Sequence, residues 1–144
     1  MAMTEAQKNQ FRAMRAAMDG GVTLAAESGT PAINAVAALV RLWKPGVYAV
    51  GDVRAESGVP YKCVQAHDST ANPGWMPSAV PALWMQYHGT SRETARAWVA
   101  PAGAHDMYLT GEWMIYTDGV LYECLSDTAY SPDGAPSAWR RAAV

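Results

Sequence analysis

The sequence lacks the features that would place the chain in a membrane, on nucleic acid or among enzymes. No run of about 18 apolar residues is present to cross a bilayer. The first ten residues, MAMTEAQKNQ, lack the basic and then apolar pattern of a secretory signal. Lys and Arg total 11 of 144 residues and form no cluster, which argues against a phosphate-binding surface for nucleic acid. There is no Gly-x-Ser-x-Gly elbow, phosphate loop or nucleotide fingerprint, so we predict a non-enzymatic chain without a cofactor.

Cysteine and histidine are also scarce. Cys63 and Cys124 occupy matching places in two similar blocks, where equivalent residues rarely lie close enough for a disulfide, so we expect two buried free thiols. His67, His88 and His105 are 21 and 17 residues apart and have no partner ligand at a suitable spacing. We therefore predict no metal site.

The aromatic residues are unevenly distributed, with six Trp and seven Tyr against a single Phe. Trp and Tyr combine an apolar ring with a hydrogen-bonding edge, which suits a surface that is both wet and adhesive. Alternatively, small β modules use Trp to fill their cores, and we expect at least half of the six to do so.

Residues 1–42 are rich in Ala and Met and predict a helical segment. Thr4 and Gln7 fit a capping box, and Gly20-Gly21 is expected to end the first helix. A second helix is expected from Thr30 and Pro31 through the run AINAVAALVRLW.

Both predicted helices carry an apolar stripe, which in the first consists of Phe11, Met14 and Met18. A helix this short is marginal alone, so the stripe must be buried on the rest of the chain or against another chain. Both alternatives stay open, and we predict a homo-oligomer because so small a chain has little core to cover two apolar helices.

From residue 43 onward, short alternating runs separated by Gly, Pro and Asp predict strands and turns. Two blocks of this region share their spacing: three residues from Gly to Tyr, two from Tyr to Cys and seven from Pro to Trp. The shared positions are Tyr48, Gly51, Gly58, Tyr61, Cys63, Pro77 and Trp84 in the first block, and Tyr108, Gly111, Gly119, Tyr122, Cys124, Pro132 and Trp139 in the second. We predict a module at 43–86, a linker at 87–97 and a second module at 98–144.

The first block resembles the family 5/12 carbohydrate-binding modules, the chitin-binding type-3 group found on chitinases and cellulases. The second block looks like a divergent member, without a His after Cys124. The resemblance implies a mainly β fold of two small three-stranded antiparallel modules, preceded by the short α-helical segment.

The resemblance also implies where a sugar would bind. In the family, the Trp of a Gly-Trp-x-Pro turn stacks on the sugar, and here that turn contains Trp75 and Pro77. The aligned turn of the second block places Tyr130 at this position; the alternative is that Tyr130 covers a shortened loop. The family counterpart of His67 is a hydrogen-bonding loop residue.

Three other tryptophans receive different predictions. Trp84 and Trp139 close the two modules after apolar runs, and their family counterparts pack inward. Trp113 stands at a usually polar or aliphatic site, and both a surface patch and a subunit contact stay open for it.

Tandem copies behind a helical leader also resemble small proteins encoded among the tail genes of bacteriophages and prophages. This resemblance implies a virion-associated protein, made in the host cytoplasm, that attaches non-catalytically to host cell-surface glycan. Other virion proteins are the further partners expected, with no nucleic acid and no membrane insertion. The alternative is a structural virion protein of the tail, neck or capsid surface, in which residues 1–42 attach the chain to the virion.

Overall fold

The computed structural model describes residues 2–142, which form a helical N-terminal segment followed by small β-sheets. The helices are α1 (Glu5–Ser28) and α2 (Thr30–Ala35). The strands are β1 (Val47–Tyr48), β2 (Val53–Glu56), β3 (Val59–Cys63), β4 (His67–Asp68), β5 (Trp84–Gln86), β6 (Arg96–Ala97), β7 (Trp113–Ile115), β8 (Leu121–Cys124) and β9 (Trp139–Arg141). Among the described residues, no helix combines the length and apolar character needed to span a membrane.

Helix α1 begins where the sequence predicts but ends later. Thr4 Oγ1 accepts the Gln7 N–H at 3.1 Å, and Gln7 Oε1 accepts the Thr4 N–H at 2.9 Å, which completes the capping box. The prediction that Gly20-Gly21 ends the helix is wrong. A helical Gly costs only about 1 kcal/mol relative to Ala, and the next two turns bury Val22 and Ala25 in a shared core.

The apolar stripe near the start of α1 lies outside this core. Phe11 is 60% exposed and Met14 is 59% exposed, so the alternative that the chain's own β structure buries these two residues is wrong. Arg15, one residue after Met14, contacts the chain beyond α2: its guanidinium donates to Leu39 O at 3.0 Å. The exposed stripe therefore belongs to the part of α1 that precedes this contact.

The second helix is shorter than predicted, because α2 ends at Ala35 and gives way to a 3-10 turn at Ala37–Leu39. The following residues pair with β2 instead of continuing the helix: Trp43 N donates to Ala55 O at 2.8 Å, and Ala55 N donates to Arg41 O at 2.7 Å. A short helix gains little by itself, so pairing with a strand prevails here.

Residues 41–86 form what we call the first β unit. Its main sheet is antiparallel in the order β2-β3-β5, with Arg54 opposite Tyr61 and Cys63 opposite Trp84. A second, two-stranded sheet pairs β1 with β4. The predicted three-stranded antiparallel sheet is therefore present, with a small additional sheet beside it.

Residues 96–142 form the second β unit, a four-stranded sheet in the order β6-β7-β8-β9. Strands β7, β8 and β9 are antiparallel, but β6 runs parallel to β7, so the prediction of a purely antiparallel three-stranded sheet is corrected. Strand β6 comes from the stretch 87–97 that the sequence assigns to a linker. Short polar runs such as this one carry little signal for a two-residue strand.

Each β unit has its own aromatic core, and the helices share a third core with one face of the first unit. Trp84 is 1% exposed and Trp139 is 6% exposed, as predicted. The buried core residues are Val22, Ala25, Ile33, Val40, Val53, Ala55 and Tyr87 under the helices, Tyr48, Cys63 and Trp84 in the first unit, and Tyr108, Met114, Cys124, Ala138 and Trp139 in the second.

A buried polar contact joins the connecting residues 87–95 to the second β unit. His88 Nδ1 donates to Glu112 Oε1 at 2.8 Å, and the His88 ring stacks on Tyr108 with centroids 3.8 Å apart. Tyr108 also stacks on Trp98 with centroids 5.1 Å apart and meets the edge of Trp139 at 5.2 Å. Asn34 of α2 donates to His88 O at 3.0 Å, so the helical segment takes part in the same junction.

Both thiols are free and buried, at Cys63 and Cys124. Burial raises the pKa of the Cys63 thiol and raises the pKa of the Cys124 thiol to about 11. Because the thiolate is the reactive form, we expect neither thiol to react with a disulfide reagent in the native protein at pH 8. Titration of the same protein in guanidinium should find both, and rapid native labelling would contradict the burial.

Candidate functional site

Trp75 lies in the long loop between β4 and β5. Its side chain is 40% exposed, and the neighbouring Met76 is also exposed. The Trp75 N–H donates to Asn72 O at 3.0 Å, which closes a turn across Pro73 and Gly74. The loop therefore presents an indole ring at the surface of the first β unit.

The base of this loop is hydrogen-bonded to the chain before β1. The buried Ser69 donates through its N–H to Gly46 O at 2.8 Å and through its hydroxyl to the same oxygen at 3.0 Å. The Gly46 N–H donates back to Ser69 Oγ at 3.1 Å. Three hydrogen bonds between one pair of residues hold the start of the aromatic loop in place.

The structure corrects the role of Pro77 as a ligand contact. Pro77 is fully buried, so its ring does not reach the surface. A buried pyrrolidine ring also limits the conformations of the residues around it.

His67 also faces the interior more than the surface. Its ring lies 5.7 Å from both Tyr48 and Trp84, measured between centroids, and its Nδ1 donates to Gln65 O at 2.7 Å. The sequence predicts a hydrogen-bonding loop residue at this position. His67 makes a hydrogen bond, to the protein's own backbone, but it is the first residue of β4 and does not lie in a loop.

Tyr130 is the most exposed aromatic side chain of the second β unit, at 68%. Its backbone is well held, because its N–H donates to Thr128 Oγ1 at 3.0 Å and its carbonyl accepts the Trp139 indole N–H at 3.0 Å. Thr128 itself is buried and paired with Tyr108. The ring therefore projects into solvent from a fixed point of the loop.

The surroundings of the Trp75 loop carry negative charge but no metal cluster. Hydrogen bonds from Thr70 lower the pKa of the exposed Asp68, so this carboxylate is ionised at neutral pH. Within residues 2–142, no group of three or more His, Cys, Asp or Glu side chains is placed to hold a metal ion.

Sequence reasoning misses the residues that anchor the aromatic loop. Ser69 bonds to a residue 23 positions earlier, and Ser78 bonds to Glu56, 22 positions earlier. Neither spacing forms a local motif, and neither residue type is distinctive in a loop. Only the folded chain brings these partners together.

Comparison with protein families assigns the region that carries this loop. Residues 42–85 match the model of carbohydrate-binding module family 5/12, so the first β unit is similar to modules of this type. The matched segment includes Trp75 and ends within β5. The family consists of non-catalytic binding modules.

Similar segments occur in larger proteins. The chain is 49% identical over 45 residues to Streptogrisin-C of Streptomyces griseus, 43% identical over 61 residues to Chitinase Chi52 of Paenibacillus xylanexedens, and 41% identical over 64 residues to Chitinase A1 of Niallia circulans. These matches cover 31%, 41% and 44% of this chain, respectively. The chain spans only 9%, 11% and 8% of the lengths of these relatives.

Proposed function

We propose that this chain is a non-catalytic carbohydrate-binding protein that holds glycan by stacking on Trp75. The observation that carries the proposal is the exposed indole on an anchored loop, inside the segment that matches a carbohydrate-binding family. Sugar faces present C–H groups that pack on an aromatic ring, while neighbouring polar groups orient the ligand. Two of the similar proteins are chitinases, so chitin is the first ligand to test.

The second β unit is, in this proposal, a divergent copy of the first, with Tyr130 as its surface ring. Matching backbone hydrogen bonds in the two units support this interpretation. The bonds are Gly51 N to Cys63 O (2.9 Å) and Gly111 N to Cys124 O (2.8 Å), Cys63 N to Asp52 O (2.8 Å) and Cys124 N to Glu112 O (2.7 Å), and Val64 N to Leu83 O (2.8 Å) and Leu125 N to Ala138 O (2.7 Å).

The parallel pairing at the entry of each unit supports the same interpretation. Trp43 N donates to Ala55 O in the first unit, and Trp98 N donates to Ile115 O in the second, both at 2.8 Å. Two linked binding sites convert the second contact into an intramolecular one, which strengthens retention on a polymer.

The setting that we propose is a phage particle, where the chain attaches to the glycan of the host cell surface. The proposal rests on the tandem arrangement behind a helical segment. The rival is a structural virion component, and the exposed Phe11 and Met14 favour it because an exposed stripe fits a contact with another subunit. Light scattering after size-exclusion chromatography distinguishes the two hypotheses. An assembly that binds no glycan and that requires residues 1–43 supports the structural virion component.

Substitution of Trp75 tests the binding proposal. We expect Trp75→Ala to weaken retention on insoluble chitin by about 30-fold, because a central Trp at a binding surface typically contributes 2 kcal/mol or more. The melting temperature should stay within a few degrees, since the ring is not part of a core. Pull-down and thermal unfolding measure both quantities.

A matched control is Trp113→Ala, which removes a partly exposed Trp from the second β unit and should keep chitin retention. Tyr130→Ala should reduce retention less than Trp75→Ala and only on polymeric ligand. Unchanged retention by the Trp75 variant would reject Trp75 as the binding residue.

A further inference from the structure

The end of the first hairpin strand is bonded to the loop that carries Trp75. Glu56 is the last residue of β2, and its Oε1 accepts the Ser78 N–H at 3.0 Å. Its other oxygen, Oε2, accepts the Ser78 hydroxyl at 2.5 Å. Ser78 follows Trp75 by three residues, so a single carboxylate holds the far side of the aromatic turn.

The second β unit has a corresponding connection made from different side chains. Tyr116 directly follows β7, and its hydroxyl donates to Asp133 Oδ2 at 2.8 Å. Asp133 follows Tyr130 by three residues, the same separation as between Trp75 and Ser78. The acid lies on the hairpin in the first unit and on the loop in the second.

The positions of the hydroxyl and the carboxylate are reversed between the two units, and this reversal shows which property the two connections share. Both join the end of a hairpin strand to the residue three positions after an exposed aromatic ring. In both, a hydroxyl donates to a carboxylate, a strong class of hydrogen bond. The shared property is therefore the hydrogen-bonded link between hairpin and loop. The residue types that form this link differ between the two units.

We propose that Glu56 is a positioning residue that holds the Trp75 loop in its ligand-ready conformation, and that Tyr116 and Asp133 do the same for Tyr130. This inference rests on the proposed function, since it assigns the link a role in glycan binding. A loop that is already ordered loses less conformational entropy when ligand binds, so the link acts on affinity.

The first test is Glu56→Ala. We expect faster hydrogen exchange at the Ser78 amide and chitin retention weakened by about fivefold to tenfold, because the loosened loop must be ordered when ligand binds. Glu27→Ala, which removes an exposed glutamate from α1, is the matched control and should change neither readout. Unchanged exchange and unchanged retention in Glu56→Ala would overturn the inference.

The second test builds the tyrosine–aspartate pair of the second β unit at the corresponding positions of the first. Ser78→Asp alone places two carboxylates together and should weaken retention as Glu56→Ala does. Adding Glu56→Tyr restores a hydroxyl donor to the carboxylate and should recover most of the retention. Failure of this double variant to recover retention, in a protein that still unfolds cooperatively, would count against the positioning role.

Trp75→Ala separates the failure of this inference from the failure of the proposed function. If Trp75→Ala weakens retention as expected while Glu56→Ala accelerates exchange without affecting retention, the positioning role is wrong and the binding proposal stands. If retention survives Trp75→Ala, the binding proposal fails, and the positioning role fails with it.

Discussion

Gly89→Ala is expected to destabilise the protein by about 3 kcal/mol, a large effect for the addition of one methyl group. A Cβ at Gly89 would lie 2.6 Å from Ala95 Cα and 2.7 Å from Ala95 N, and it would also contact Thr94 O. These are backbone atoms, so no side-chain rotation relieves the overlap. The Gly89 carbonyl meanwhile accepts the Trp113 N–H at 2.8 Å, which fixes Gly89 against the second β unit.

The expected loss corresponds to a fall of roughly 6 to 12 °C in melting temperature for a chain of this size. Thermal unfolding followed by circular dichroism measures it. Gly74→Ala is the matched control, because a Cβ at Gly74 meets no atom within 4 Å. Equal melting temperatures for the two variants would mean that the chain near Gly89 is not packed as described.

His88→Ala is expected to destabilise the protein by about 2 to 4 kcal/mol, because it leaves the buried Glu112 carboxylate without its side-chain partner. The substitution also removes the ring stacked on Tyr108 at 3.8 Å. Glu112 Oε1 retains only the Leu109 N–H, which donates to it at 2.8 Å. The loss falls where the connecting residues 87–95 meet the second β unit.

His105→Ala is the control for this substitution, since His105 is exposed, donates to Pro81 O at 2.8 Å and lies 3.9 Å from Asp106 Oδ1. We expect it to cost less than about 1 kcal/mol. A double-mutant cycle of His88→Ala with Glu112→Ala should give a coupling energy of about 1 to 3 kcal/mol. A coupling near zero would show that the two side chains do not interact in solution.

Local sequence signals predict the elements that depend on neighbouring residues. The capping box at Thr4 and Gln7 forms as expected because its partners are three residues apart. The mainly β character beyond residue 43 follows from alternating runs bounded by turn residues. These features need no information about distant parts of the chain.

The sequence also predicts the exposed ring of the candidate site and only part of its support. Trp75 is expected at the surface because Pro and Gly surround it in a loop. Its anchors Ser69 and Glu56 are missed, and Pro77, which the sequence assigns to the binding site, is fully buried. The partners of these residues are distant in sequence. A local motif carries no information about such partners.

Sequence alone determined that this protein is mainly β behind a helical start, with an aromatic turn at Trp75, because those features arise from spacing and residue type. Tertiary structure decided that α1 continues to Ser28 and that β6 adds a parallel strand. It also decided that His88 meets Glu112, 24 positions away. The physical reason is that burial and long-range pairing override weak local preferences once distant segments of the chain come into contact.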